Sequence, residues 1–225
     1  MYYTLNNLIM EILFLLFSFA VAITIHEAAH AWMADRLGDP TAKLTGRLTL
    51  NPLAHYDKVG TTLFFVTMFL WKFGVVPFPF GWAKPVGFDP FNLKNPRRDS
   101  ALISAAGPTA NLILAILLAI IIRLISFPFS PAFIIAELIK PLVVLNVSLA
   151  IFNLVPVNPL DGGKILVGLL PEKNARKVEF FLDRFGIIIL FFLIFPTFGG
   201  ESILTAIISP IINFLLQFLL GSKII

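Results

Sequence analysis

The sequence contains no cysteine and has few charged side chains. The absence of cysteine excludes disulfide bonds, thiolate zinc sites and thiol nucleophiles, so any metal ion must be bound by His, Asp or Glu. Charged residues make up 13% of the 225 residues and hydrophobic residues 58%, whereas an average soluble domain has roughly 25% charged residues. This balance excludes a soluble globular protein.

Long apolar segments with few charges recur along the chain and predict an all-α polytopic membrane protein. Segments of about 18 or more such residues are typical of membrane-spanning helices. We expect a single membrane-embedded domain over residues 1–225, because these segments and their connections use nearly the whole length. Three core spans are expected at about 8–34, 101–125 and 139–157, followed by an accessory carboxyl-terminal helical hairpin at 186–220.

The segment 59–86 follows the first span, and its uninterrupted apolar part is too short to cross a membrane. Its uninterrupted apolar part, from Val59 to Trp71, has 13 residues. As a helix this part would be about 20 Å long, less than the roughly 30 Å of a bilayer's hydrocarbon core. Three prolines and a glycine between positions 77 and 85 disfavour a helix after it. The sequence therefore predicts a re-entrant or interfacial segment.

The distribution of Lys and Arg predicts the orientation in the membrane. Most of these residues fall in 36–58, 72–98 and 164–184, and such residues concentrate in cytoplasmic loops. We therefore expect the amino terminus outside and the first span running inward. The tip of the carboxyl-terminal hairpin, at 199–201, is expected outside.

The first span contains the sequence His26-Glu27-Ala28-Ala29-His30. Residues four apart lie on one face of a helix, so both imidazoles can bind one metal ion while Glu27 lies beside it. Ionisable groups in an apolar span are costly unless they are paired, bound to a metal or in contact with water. The motif indicates a metal site, and the alternative is a hydrogen-bonded cluster that packs helices together.

A catalytic zinc site uses three protein ligands, so a third ligand must be found. His55 lies in a polar stretch and is interpreted as a loop residue or as one that supports the ligands. Asp161 is the better candidate. It ends the third span where two prolines, together with Gly162 and Gly163, are expected to break the helix, and irregular backbone at membrane depth is buried in protein or lines a cavity. From the residues alone, Asp161 could equally stabilise an Asp-Gly turn.

Four short sequences in this order resemble the site-2 protease family of intramembrane zinc metalloproteases. They are His-Glu-Ala-Ala-His at 26–30, Ala-Gly-Pro-Thr-Ala-Asn at 106–111, Asn-Leu-Val-Pro at 153–156 and Pro-Leu-Asp-Gly-Gly at 159–163. The resemblance covers about residues 8–170. Residues 37–42 and 81–86 further resemble a compact bacterial and archaeal branch of that family.

The resemblance implies a three-helix catalytic core with one zinc ion per chain. The positions that match the family's ligands are His26, His30 and Asp161, and Glu27 matches its general base. Asn153 matches a residue near the scissile peptide and is a candidate for contacting the substrate or its oxyanion, with hydrogen bonding between helices as an equal alternative. Asn111 and Asn146 are further candidates for that role, although hydrogen bonding between helices is favoured for both of them.

The implied function is hydrolysis of peptide bonds within or near the transmembrane helix of membrane proteins, that is, regulated intramembrane proteolysis. We expect a prokaryotic plasma membrane, with the active site toward the cytoplasm. The expected partners are single-span transmembrane proteins and the lipid bilayer, and nucleic acid is not expected; no oligomeric state is indicated. The alternative function is a metal or proton transporter that uses the same His, Glu and Asp cluster.

Overall fold

The computed structural model describes residues 5–76, 79–125, 132–195 and 202–221, and its regular secondary structure is helical. A short 3-10 turn, Pro90–Asn92, precedes the second long helix. The α-helices are α1 (Leu5–Leu37), α2 (Thr41–Leu44), α3 (Pro52–His55), α4 (Lys58–Lys72), α5 (Pro96–Ile125), α6 (Ala132–Asn153), α7 (Asp161–Leu169), α8 (Glu172–Ile194) and α9 (Ile203–Leu220).

Four of the described helices are long and apolar enough to cross a membrane. Their apolar parts are Ile12–Leu37, Pro96–Ile125, Ile135–Asn153 and Ile203–Leu220. Helix α5 packs against both α1 and α6 and runs antiparallel to them, which gives the three-helix core. The expected all-α polytopic membrane architecture is confirmed.

Helix α4 is a short apolar helix of 15 residues, or about 22 Å. It begins at a side-chain cap, because the Asp57 carboxylate accepts a hydrogen bond of 2.7 Å from the Gly60 amide. The described residues 79–89 that follow it form no helix. The short helix and the irregular chain agree with the prediction for 59–86, and its re-entrant or interfacial position stays a prediction.

The chain between α6 and α7 is irregular, and two glycines at the start of α7 let that helix pack closely against it. Residues 154–160 are irregular, as the prolines predict, but Gly162 and Gly163 lie in the first turn of α7 rather than in the break. A Cβ atom on Gly162 would lie 2.3 Å from the Val155 carbonyl oxygen, and one on Gly163 would lie 2.0 Å from Asn158 Oδ1. The glycines therefore let α7 pack directly on the irregular segment, which fixes where Asp161 begins the helix.

The direction of α9 differs from the one expected for the carboxyl-terminal hairpin. Arg123, in the last turn of α5, donates hydrogen bonds to the carbonyl oxygens of Leu219 (3.0 Å) and Phe218 at the end of α9. Helix α9 therefore ends beside the end of α5, at the far end of the bundle from Asp161. Helix α8 begins at Glu172 rather than at 186, and its charged first half sets it apart from the four apolar helices. The expected hairpin tip lies outside the described residues.

Cysteine labelling should show that the ends of α5 and α9 lie on the same side of the membrane. Single cysteines replace Ser130 and Ser222, which follow these helices in the sequence, in a chain that has no cysteine of its own. Both should react with an impermeant maleimide added to intact cells, whereas Lys173→Cys should react only after permeabilisation. If Ser222→Cys instead behaves like Lys173→Cys, the direction assigned to α9 is wrong.

Candidate metal centre

Three buried or partly buried side chains that can bind a metal converge where α1, α5 and α7 meet. Nε2 of His26 and of His30, both on α1, lie 3.0 Å and 3.3 Å from Oδ2 of Asp161. The ligand atoms of the three residues all lie within 4.8 Å of one another. The structure thus brings together the three residues that the sequence predicts as ligands, although α1 and α7 are far apart in the chain.

A glycine on α5 provides the space for the two imidazole rings. A Cβ atom on Gly107 would lie 2.5 Å from His30 Nε2 and 2.7 Å from His26 Cε1. Any larger residue at position 107 would displace the two rings.

The hydrogen bonds of the two histidines fix which ring nitrogen carries the hydrogen. His26 Nδ1 lies 2.7 Å from Asn111 Oδ1, while Asn111 Nδ2 donates to the Ala22 carbonyl oxygen (2.9 Å) and to Asn146 Oδ1 (2.7 Å). Because the amide nitrogen is used in this way, Asn111 Oδ1 faces His26 and can only accept. His30 Nδ1 likewise faces the Ile103 carbonyl oxygen, at 2.7 Å. In the neutral rings, both Nε2 atoms therefore present lone pairs to Asp161.

The donor atoms of this cluster fit a divalent cation. Asp161 Oδ2 is buried and accepts no conventional hydrogen bond from the described residues. When both imidazoles are neutral, the two Nε2 atoms and the Asp161 carboxylate face one another with no hydrogen between them. A bound cation stabilises this arrangement. Two imidazole nitrogens and one carboxylate oxygen form a ligand set typical of catalytic zinc sites.

Asn111 and Asn146 form a buried polar chain that joins the three core helices. Both side chains are fully buried, and Asn146 Nδ2 donates to the Leu142 carbonyl oxygen at 2.7 Å. Their amide groups are thus engaged between helices, which agrees with the interpretation favoured from the sequence. Asn153 Nδ2 donates to the Leu149 carbonyl oxygen of its own helix, at 3.0 Å. Among the described residues, no hydrogen bond joins Asn153 to His26, His30 or Asp161, and its substrate role stays a prediction.

His55 lies apart from the three converging side chains. It is 1% exposed, and its Nε2 lies 3.0 Å from the Thr49 carbonyl oxygen. Its own carbonyl oxygen accepts a 2.9 Å hydrogen bond from the Lys84 amide. Among the described residues it is not one of the groups that could share a metal with Asp161. It is the last residue of helix α3 rather than a loop residue, and its supporting role stays a prediction.

Two contacts of this site could not be predicted from the sequence. Glu27 Oε2 accepts a 2.8 Å hydrogen bond from the Val86 amide, which belongs to the irregular segment after α4. Asn158, in the break before α7, donates a 2.7 Å hydrogen bond to Asp183 of α8. A Cβ atom on Gly186, also in α8, would lie 2.5 Å from the Asn158 carbonyl oxygen. Helix α8 therefore supports the loop that leads into Asp161.

Comparison with known proteins shows the family to which this chain is similar. The sequence model of peptidase family M50 matches residues 14–134 and 129–195. “Putative zinc metalloprotease YwhC” of Bacillus subtilis is 36% identical over 196 residues, which are 85% of this chain and 84% of the relative. “Putative zinc metalloprotease Rip2” of Mycolicibacterium smegmatis is 31% identical over 163 residues, 68% of this chain and 56% of the relative.

A more distant relative comes from an archaeon. “Zinc metalloprotease MJ0392” of Methanocaldococcus jannaschii is 24% identical over 168 residues, which are 75% of this chain and 37% of that protein. No solved structure matches the chain. The sequence-based expectation of a membrane metalloprotease is confirmed by the family match and by these names. The chain belongs to peptidase family M50, the site-2 protease family that its motifs resemble.

Proposed function

We propose that the protein is an intramembrane zinc metalloprotease that hydrolyses peptide bonds within or near the transmembrane helices of membrane proteins. The observation that carries this proposal is the convergence of two imidazole nitrogens and the Asp161 carboxylate inside an apolar helical bundle. Glu27 occupies the position next to His26 on the same helix. Membership of the M50 family and the names of the relatives support the same conclusion.

Each residue of the site has a separate role in this reaction. His26, His30 and Asp161 hold one zinc ion, which when bound acts as a Lewis acid on water and on the peptide carbonyl. Glu27 accepts a proton from the attacking water and returns it to the leaving amine. Asn111 and the Ile103 carbonyl oxygen hold the two imidazoles in the tautomer that leaves Nε2 free.

The proposed substrates are single-span membrane proteins with a weakened helix near the cytoplasmic surface. The carbonyl group of a peptide bond in an intact helix is already hydrogen-bonded, so the helix must open before attack. Opening a helix in hydrocarbon costs several kcal/mol for each unsatisfied backbone group. The basic segments 94–98 and 164–184 lie in sequence near the ends of α5 and α7 that meet at the site, which supports an active site toward the cytoplasm in a prokaryotic plasma membrane.

Removal of the metal tests the proposed function. The protein purified in detergent should contain about one zinc ion per chain and should cleave some members of a panel of single-span helices. Stripping the metal with a chelator should abolish cleavage, and added zinc should restore it, because the ligands remain in place. Mass spectrometry of the products locates the cut. Zinc uptake into proteoliposomes without any cleavage would instead favour a transporter.

Replacing Asn111 should weaken zinc binding without touching a ligand. Asn111→Leu removes the acceptor for His26 Nδ1, and loss of such a partner typically lowers metal affinity by about 10- to 100-fold. Asn111→Asp keeps an acceptor oxygen and should lose less. Competition with a chromophoric chelator measures the affinities, with Asn153→Leu as the control that should bind zinc normally. Equal affinity of Asn111→Leu and wild type would contradict the assigned hydrogen bond.

A further inference from the structure

An irregular segment, residues 79–89, crosses α4 and α1 and is attached at several points; we call it the strap. At its first end, Thr67 Oγ1 of α4 accepts a hydrogen bond of 2.9 Å from the Phe80 amide. The strap then passes directly over Gly60, where a Cβ atom would lie 2.0 Å from the Trp82 carbonyl oxygen. The crossing point on α4 is therefore fixed by a glycine.

The middle of the strap is held through the backbone of Lys84. Its amide donates to the His55 carbonyl oxygen at 2.9 Å, and its carbonyl oxygen accepts from Arg47 Nη1 at 3.0 Å. Both contacts involve main-chain atoms of the strap, so they fix its position independently of the Lys84 side chain.

The far end of the strap is held by Asp39, which is fully buried just after α1. Its carboxylate accepts from the Asp89 amide (2.9 Å), the Asn92 side chain (2.7 Å) and the Thr41 hydroxyl (2.6 Å). Burial acts to raise the pKa of Asp39, but these hydrogen bonds, together with one from the Thr41 amide, outweigh burial and hold the pKa below its usual value. Asp39 is therefore a charged acceptor at neutral pH.

Between Lys84 and Asp89, the Val86 amide donates to Glu27 Oε2 at 2.8 Å. The strap is fixed two residues before this amide and three residues after it. A shift by one residue would move the amide by more than 3 Å and break the hydrogen bond. The anchors thus determine where the donor to Glu27 lies.

We propose that the strap is a positioning device for Glu27, in which the Val86 amide orients the carboxylate and Asp39 keeps that amide in register. This inference rests on the proposed function. The inference gives a role to residues 37–42 and 81–86, which have none in the proposed reaction. A carboxylate with one oxygen held by a fixed donor loses less freedom when it takes up its catalytic orientation.

Replacing the Val86 amide by an ester tests the proposal without changing a side chain. Cell-free translation with the α-hydroxy acid analogue of valine removes only the N–H group. We expect kcat to fall by about tenfold, with an unchanged KM and an unchanged zinc content, because only Glu27 loses a partner. The control is an ester at Gly87, whose amide donates no hydrogen bond within the part of the chain that the structure describes.

A second measurement does not require activity. With Glu27 labelled with ¹³C at its carboxyl carbon, the ester at Val86 should shift the isotope-edited infrared carboxylate band, and the ester at Gly87 should not. Asp39→Asn places an amide group against the Asp89 N–H. This substitution should shift the same infrared band and speed hydrogen exchange at 84–89. Combined with the Val86 ester, it should lower kcat by less than the product of the two separate effects.

The outcomes separate this inference from the proposed function. An unshifted band and an unchanged kcat in the Val86 ester would overturn the positioning role while the protease function stands. A kcat that rises in the ester would also overturn it, because the strap would then be a cover that the substrate must displace. If the zinc-loaded wild type cleaves none of the single-span helices, the proposed function itself fails, whereas the infrared result still decides whether the Val86 amide holds Glu27.

Discussion

Glu27→Gln should hydrolyse peptide bonds about 10²- to 10⁴-fold more slowly than the wild type, since this is the usual contribution of a general base to the rate. It should still bind one zinc ion per chain. The substitution keeps the shape of the side chain but removes its ability to accept a proton from water. The Gln carbonyl oxygen can still accept the hydrogen bond from the Val86 amide, so the strap should stay in place. His26, His30 and Asp161 are unchanged, and the affinity for zinc should remain within a few-fold.

The same substitution elsewhere gives a matched control. Glu137, on α6, is half exposed and forms an ion pair with Lys140 one helical turn away. It is not one of the three residues that could bind the metal. Glu137→Gln should cleave like the wild type. For both variants we would measure the rate at which one detergent-solubilised substrate is cleaved, and the zinc content by atomic absorption. A Glu27→Gln protein with near-normal turnover would show that another group accepts the proton.

The parts of the site that share a helix could be predicted from sequence spacing. His26 and His30 are about one helical turn apart and Glu27 is adjacent to His26, so the relation of the three depends only on local geometry. Asp161 could be proposed as the third ligand but not distinguished from a turn residue, because its approach to α1 depends on how α7 packs. The prolines correctly marked the break before Asp161.

The remaining contacts depend on packing between distant parts of the chain. Gly162 and Gly163 read as helix breakers, yet they lie inside α7 because the segment before it passes too close for a side chain. The contact between Val86 and Glu27 joins residues 59 positions apart and uses a backbone amide, which has no sequence signature. No residue type reveals such a contact in advance.

The direction of α9 was predicted wrongly because one apolar segment was counted as a membrane crossing. The positive-inside rule counts charges in loops and orients the helices only once the membrane crossings have been assigned. Helix α8 combines a charged first half with an apolar second half, so counting its apolar half as a crossing reverses the direction assigned to α9. The hydrogen bonds from Arg123 to the end of α9 supply the information that the charges do not.

Asp161→Asn should abolish the stabilisation of the protein by zinc, and this result separates a metal ligand from a turn residue. Loss of a group that merely supports a ligand lowers metal affinity by about 10- to 100-fold, so loss of a charged ligand should cost at least the upper end of that range. A ligand that binds only the folded state stabilises it in proportion to RT ln(1 + [L]/Kd). The wild type should therefore melt at a higher temperature with zinc than without it, and the variant should show little difference.

The metal-free protein provides the sharper distinction. Without zinc, the Asp161 carboxylate faces two imidazole lone pairs, whereas an Asn side chain can donate to one of them. The melting temperature of metal-free Asp161→Asn should therefore equal or exceed that of the metal-free wild type. A residue needed only for the turn would instead lower it, with or without zinc. Asp183→Asn is the control, since it changes the partner of Asn158 in the adjoining loop and leaves all three ligands intact, so its zinc-dependent shift should persist.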